Sequence, residues 1–318
     1  MRRIRTIVLA TAALFVAGSA FAQQASPAMP APTIFAPGIV SGGANDGAPT
    51  FAPDGKALYF ERTNGRWSAL LEARQINGRW ARPDLLPFAG DNDQQPAMAP
   101  DGRYMVYVSL RAVTAADGTK TRVAHLYRAD RTANGWGSPV ELPPTVNFSR
   151  RTFKPSVAAN GDLYFMADIG ATPAPQWRLF CAARQGAGYA KAEPLPFSGP
   201  GDADVDPFVA PDQSYLIFSS AGRGPQKDGH EHLFIVTREG AGWSAVRPLR
   251  YDGDTQGADD GEANVGPDGK LYFTSSRSLA VAKNRDRAAM RADLARMDEW
   301  DNGNTNVWTL PLAPYLKG

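Results

Sequence analysis

Short apolar and aromatic runs recur along the chain: Leu58-Tyr59-Phe60, Met105-Val106-Tyr107, Leu163-Tyr164-Phe165, Leu216-Ile217-Phe218 and Leu271-Tyr272-Phe273. Each follows a polar turn: FAPDG ending at Gly55, MAPDG at Gly102, VAANG at Gly161, VAPDQ at Gln213 and VGPDG at Gly269. Pro fixes φ, Asp or Asn can bond the backbone two residues on, and Gly accepts positive φ, so these segments are tight turns. Before each turn, Phe51, Met98, Val157, Val209 and Val265 share a column, followed by the small residues Ala52, Ala99, Ala158, Ala210 and Gly266. Apolar runs of this length between turn signals read as buried strands. Measured at Asp54, Asp101, Asn160, Asp212 and Asp268, the spacings are 47, 59, 52 and 56 residues. A self-similar period of that length marks a repeat architecture.

A third strand follows in most units: HLYRAD from His125, RLFCAA from Arg178, HLFIVT from His232 and NVWTLP from Asn306. A Gly-aromatic turn then carries Trp80, Trp136, Tyr189 and Trp243, with Leu86, Leu142, Leu195 and Leu249 six residues further on. Four strands per unit predict an all-β, five-bladed β-propeller of four-stranded blades. The fifth unit ends after three strands, and residues 33 to 41 stand where a fourth strand is missing, so the N-terminal strand is expected to close the ring beside Asn306 to Leu312. Closure removes an exposed sheet edge. A six-bladed ring is the alternative, and its only room is residues 278 to 302. There Met290, Leu294 and Met297 follow a helical i, i+4, i+7 spacing, which predicts a helical insertion in blade 5.

On these residues, above all DPFVAPDQSYLIFSS (206 to 220) and ANVGPDGKLYFTSSR (263 to 277), the chain resembles the TolB-type, WD40-like propeller repeats of exported bacterial proteins. The resemblance spans roughly residues 33 to 318 and implies a rigid disc used for binding. The third repeat departs with AANG and the fourth with PDQS.

The N-terminus narrows the setting. Met1-Arg2-Arg3-Ile4-Arg5, an apolar run from Thr6 to Val16 and Ala20-Phe21-Ala22 form a charged region, a hydrophobic region and a small-x-small cleavage site. A signal peptide over residues 1 to 22 is expected, cleaved near Ala22, then a Pro/Ala-rich leader over 23 to 32 and one propeller domain over 33 to 318, in the periplasm or secreted. The apolar run is too short for a membrane span. Cleavage takes the chain from 34 basic and 32 acidic side chains to 31 and 32, so no basic excess favours nucleic acid. Cys181 is the only cysteine, which excludes an intramolecular disulfide. No cofactor is expected, and the disc is expected to be a monomer.

Candidate chemistry lies in the acids and in one basic blade. Asp46, Asp93, Thr152, Asp204 and Asp260 stand three residues before the Pro or Ala taken to open each first strand. The aspartates either ring the channel mouth and hold a ligand or cap their own loops through backbone N–H groups. Blade 3 carries Ser149, Arg150, Arg151 and Lys154, while blades 4 and 5 supply Asp202, Asp204, Asp206, Asp259, Asp260 and Glu262. A face built from these loops is bipolar, with a guanidinium pair suited to a carboxylate or phosphate, or it is simply neutralised. His230 and His232 alternate around Glu231 and are weak metal-ligand candidates. No G-x-S-x-G elbow or phosphate-binding Gly loop is present. The favoured function is non-catalytic binding of a protein or envelope glycan by the loops before the first strand and between the second and third. The alternative is a carbohydrate-active enzyme, a glycosidase or lyase, using carboxylates of the same face.

Overall fold

The computed structural model describes residues 29–114, 118–170, 174–223, 229–253 and 257–316; the expected signal peptide and the leader up to residue 28 lie outside the described residues. Five four-stranded antiparallel blades surround a central channel. Counting outward, blade 1 contains Asn45–Phe51, Ala57–Thr63, Ser68–Ile76 and Asp84–Leu85. Blade 2 contains Asp93–Met98, Tyr104–Ser109, His125–Thr132 and Val140–Glu141. Blade 3 contains Thr152–Val157, Leu163–Asp168, Trp177–Ala182 and Glu193–Pro194. Blade 4 contains Asp204–Val209, Tyr215–Ser220, His232–Glu239 and Arg247–Pro248. Blade 5 contains Asp260–Val265, Lys270–Ser275 and Asn306–Pro311, and its outermost strand is Thr33–Ile34.

The apolar triplets lack polar alternation because each second strand is covered on both faces. Tyr59 packs toward blade 2 with Met105 and Tyr107, whereas Leu58 and Phe60 pack toward blade 5 with Tyr272 and Val307. The other interblade cores repeat this division: Val106 meets Leu163 and Phe165, Tyr164 meets Leu216 and Phe218, and Ile217 meets Leu271 and Phe273. The core is therefore a set of wedges between blades.

Ring closure rests on Thr33 opposite Thr309 and Ile34 opposite Trp308, continued by Phe35 N–H donating to Val307 O at 2.9 Å. The Phe35 ring packs edge-on against Trp80 and Tyr272, at 5.7 and 5.1 Å between centroids, and so bridges blades 1 and 5. The turn that ends in Gln213 instead of Gly keeps positive φ, 59°. Its side chain is held there by the Tyr164 hydroxyl, which donates to Gln213 Oε1 at 2.6 Å. Between the second and third strands of blade 5 lies the helix Arg287–Glu299, capped by Asp286 accepting from Ala289 N–H. None of its residues is buried, and Met290, Leu294 and Met297 are 49, 58 and 53% exposed.

One expectation changes in a way that matters for the channel. The Pro or Ala at Pro49, Pro96, Pro155, Pro207 and Ala263 does not open the first strand; the strand starts three or four residues earlier, and this residue sits at a β-bulge inside it. Pro lacks an N–H to give to a ladder, and a bulge on a channel-facing strand is one of the few places that tolerates it.

Candidate functional site

The residue before each bulge Pro or Ala has positive φ: Ala48 at 48°, Gln95 at 51°, Lys154 at 43°, Asp206 at 55° and Glu262 at 51°. This conformation costs a non-glycine residue of the order of 1–3 kcal/mol unless its surroundings hold it. Here a ring of hydrogen bonds holds it. Each of these backbone N–H groups donates to a side chain of the preceding blade: Ala48 to Glu262 Oε2 at 2.8 Å, Gln95 to Glu61 Oε2 at 2.7 Å, Lys154 to Gln95 Oε1 at 2.9 Å, Asp206 to Met166 Sδ at 3.4 Å and Glu262 to Asp206 Oδ2 at 3.2 Å. Where the bulge residue is Ala48 or Lys154, which present no suitable acceptor, the second strand supplies Glu61 or Met166 instead. Glu61 and Met166 occupy matching positions, opposite Gly47 and Phe153.

This girdle brings Lys154, Asp206 and Glu262 together with Glu61 and Gln95, whose Nε2 donates to Glu262 Oε1 at 2.8 Å. Burial and the neighbouring Glu262 carboxylate push Glu61 up to about 8, and the same causes hold Asp206 well above the usual carboxylate range. Glu231, at the channel's loop end, is pushed up to about 7 by burial, Asp259 and Glu262.

The aspartate column is separate. Asp46, Asp93, Asp204 and Asp260 have fully buried carboxylates, each bound to an arginine near or just beyond the end of its blade's second strand. The pairs are Asp46–Arg62 at 2.6 Å, Asp93–Arg111 at 2.7 Å, Asp204–Arg223 at 2.6 Å and Asp260–Arg277 at 2.8 Å. Each guanidinium also covers the last aromatic ring of its blade's triplet: Phe60, Tyr107, Phe218 or Phe273. Gly42 N–H donates to Asp46 and Gly90 N–H to Asp93, so these carboxylates fix local loops as well. For Asp46 burial outweighs the Arg62 charge and raises the group to about 6. In blade 3 the polarity is exchanged: Thr152 replaces the aspartate, Asp168 ends the second strand, and Arg151 pairs with it at 3.3 Å.

Arg150 and Arg151 stand on the loop face. Ala124 N–H donates to Arg150 O and Thr152 N–H to Ala124 O, at 2.9 and 2.8 Å, and this bridge sets blade 2's hairpin residue Arg122 beside them. The three arginines line a cavity of about 590 Å³ with Val123, Phe153 and Asp168. Arg122, Arg150 and Arg151 are exposed, and Arg151 lies over the Trp177 ring. In blades 4 and 5, by contrast, Asp202 and Asp204 both bind Arg223, and Asp259 lies 3.2 Å from His230 Nδ1. His232 is buried at the start of its strand. Among the described residues, no group of three or more His, Cys, Asp or Glu side chains is arranged to hold a metal ion.

Sequence reasoning singled out Lys154, Asp206 and Glu262 without placing them in one column, and it missed Glu61, Gln95, Arg122 and the four ring-covering arginines. Two signals were available: the third residue of every D/T-x-x-P/A segment, and the Arg in FERT, SLR, SAGR and SSR, which is lacking only in the repeat that lacks the Asp.

No family model and no curated protein matches the sequence. Structural neighbours include TolB from Acinetobacter baumannii (12% identity, TM-score 0.46, 73% of this chain and 51% of that one). A protein of unknown function from Dyadobacter fermentans matches at 14% identity and TM-score 0.46, over 77% of this chain and 78% of that one. A thermostable family-43 glycoside hydrolase matches at 12% identity and TM-score 0.47, over 73% and 83%. The chain thus spans about half the length of the A. baumannii TolB. Likeness at this level concerns the propeller fold. Among the described residues no helix is long and apolar enough to cross a membrane.

Proposed function

We propose that the protein is an exported, non-catalytic binding propeller whose loop face engages a protein or envelope glycan through an anionic group seated on Arg122, Arg150 and Arg151. The observation that carries this reading is the cavity between blades 2 and 3, where three exposed guanidinium groups meet an apolar wall. Arg forks suit carboxylate or phosphate, and exposed loops on a rigid scaffold are where binding concentrates. Asp46, Asp93, Asp204 and Asp260 support the face from beneath by holding its loops in place. The exposed Met290, Leu294 and Met297 stripe offers a second contact area on blade 5.

The reading is tested by recovering the partner from an envelope extract and titrating it against variants. Arg150→Ala and Arg151→Ala are expected to weaken binding and flatten its salt dependence. If both leave affinity and salt dependence unchanged, while a substitution in a PDG turn abolishes binding, the face is misassigned. Mass spectrometry of the exported chain is expected to find a mature N-terminus near Gln23.

A carbohydrate-active enzyme is favoured by one observation. Asp206 Oδ2 and Glu231 Oε2 converge on the space over Gly261, standing 2.9 and 3.2 Å from where a Cβ would lie if that residue had a side chain, and both acids are raised. Groups held near neutrality can act as general acids. Glu231→Gln would then abolish turnover of nitrophenyl glycosides; absence of turnover by the unaltered protein across a panel of such substrates sinks this reading.

A further inference from the structure

The channel below the girdle differs in character from everything above it. After the bulge, the five inner strands run toward the PDG turns and enclose a cavity of about 270 Å³ to which every blade contributes. Its walls are Met98, Val157, Phe208 and Val265, and its rim carries Pro53, Pro100, Pro211 and Pro267. Pro53, Pro211 and Pro267 are exposed, so the cavity opens on the turn face, opposite the arginine cluster. The one charged side chain among its lining residues is Lys154.

Lys154 is unusual in its own right: the residue is only 2% exposed, and among the described residues no carboxylate pairs with its ammonium within 4 Å. A buried ammonium is costly unless something compensates it. The girdle carboxylates Glu61 and Asp206 feel its charge, but their hydrogen bonds go to backbone N–H groups of neighbouring blades. None of the girdle acids Glu61, Asp206 and Glu262 holds the ammonium directly, and Lys154 is the one charged residue that the cavity's lining offers to a ligand.

We propose that the turn-face half of the channel binds a small amphiphilic carboxylate, its apolar part against Met98, Val157, Phe208 and Val265 and its carboxylate on Lys154 Nζ. Ligand pockets are characteristically apolar with a few placed polar groups and commonly measure about 300–1,000 Å³, so this one lies just below that range and suits a small ligand. A medium-chain acid fits such a volume. The site is independent of the loop-face reading, since it uses none of the same residues and opens on the other side.

The test uses the mature protein and isothermal titration with octanoate, octanol and octylammonium as probes. Octanoate is expected to bind saturably with one site per chain, octanol more weakly, and octylammonium not at all. Lys154→Met keeps the backbone N–H bond to Gln95 and removes the charge. It is expected to lower octanoate affinity about tenfold or more, the worth of one charge-assisted hydrogen bond, and to leave octanol unchanged. Asn264→Trp, at a half-buried lining position, obstructs the cavity without touching Lys154 and is expected to abolish binding of both probes with an unchanged melting temperature. Failure of octanoate to saturate the unaltered protein overturns the proposal, and so does saturation that neither variant alters. If Lys154→Met does not fold, the Asn264→Trp result decides alone: retained octanoate affinity in that variant is equally fatal.

Discussion

Glu262 of the last blade accepts the backbone N–H of Ala48 in the first at 2.8 Å, closing the inner girdle at the seam where the chain's two ends meet. The same carboxylate also takes the Thr274 hydroxyl at 2.7 Å and Gln95 Nε2 at 2.8 Å. Removing it strands several donors at once. Glu262→Ala should cost about 1–3 kcal/mol for each donor left unsatisfied, whereas Glu262→Gln keeps an acceptor for Ala48 and Thr274 and relieves repulsion on Glu61 and Asp206. With the glutamine oxygen serving Ala48 and Thr274, its N–H faces Gln95 Nε2, donor against donor, so urea unfolding at neutral pH should rank Gln a little below the native protein and Ala well below both. Equal losses in the two variants would show that the hydrogen bonds do not hold the seam.

The outer seam depends on Phe35. Its ring touches Phe51, Trp80 and Tyr272, so it seals the wedge between blades 1 and 5 just after the short closing strand. The residue is partly buried, and Phe35→Ala should destabilise by about 2 kcal/mol, within the range for removing a buried aromatic side chain from apolar contact. Deleting residues 33 to 41 goes further and opens a sheet edge, for which cooperative unfolding or aggregation is the expected result. A truncated protein with an unaltered melting temperature would mean that blade 5 is stable with three strands.

Much of the fold was legible because the repeat writes the same physics five times. Apolar triplets covered on both faces and turns with fixed chemistry need no distant information. The channel was less legible. Pro49, Pro96, Pro155 and Pro207 read equally well as strand openers or as bulge residues, since either place excuses a missing N–H. The third residue of each D/T-x-x-P/A segment marks the column in the sequence, but that Lys154, Asp206 and Glu262 close into one hydrogen-bonded ring follows from the register at the bulges. Likewise Asp260 and Arg277 lie far enough apart in sequence for their pairing to depend on how the second strand folds back. Arg122 could not be placed at all without the bridge between Ala124 and Arg151.

The buried pairs and the exposed arginines should therefore part company under substitution. Asp260 is fully buried, holds both Oδ atoms against Arg277 at 2.8 Å and receives the Tyr251 hydroxyl. Asp260→Ala leaves a guanidinium among Tyr251, Phe273 and Trp308 without its counter-charge, and breaking such a pair costs about 3–5 kcal/mol. Arg150→Ala, at an exposed position, should stay within about 0.5 kcal/mol of the native stability. Thermal and chemical unfolding of the two variants side by side tests this division. A comparable loss from Arg150→Ala would make the arginine cluster a structural element and withdraw its main claim to bind a ligand.

Stability should also fall as pH rises through the neutral range. Four acids are raised in the folded protein, chiefly by burial: Asp46 from 3.8 to about 6, Glu231 from 4.5 to about 7, Glu61 from 4.5 to about 8, and Asp206 well above its usual range. An acid raised on folding binds its proton more tightly in the folded state, so its contribution is complete below the unfolded pKa and is lost as pH climbs through the folded one. For Asp46 that window runs from about 4 to 6, for Glu231 from about 4.5 to 7, and for Glu61 from about 4.5 to 8. All four slopes share one sign, so the melting temperature should be higher at pH 5 than at pH 8. Glu61→Gln separates the girdle from the rest, because a glutamine oxygen still accepts the Gln95 N–H while nothing is left to ionise. That variant should show a shallower fall between pH 7 and 8 than the native protein, because Glu61's share of the slope is gone while Glu231 finishes its titration and Asp206 still contributes. A native profile that is flat or rising over pH 5 to 8 would mean that Glu61 is ionised throughout and that Lys154, not a proton, balances it.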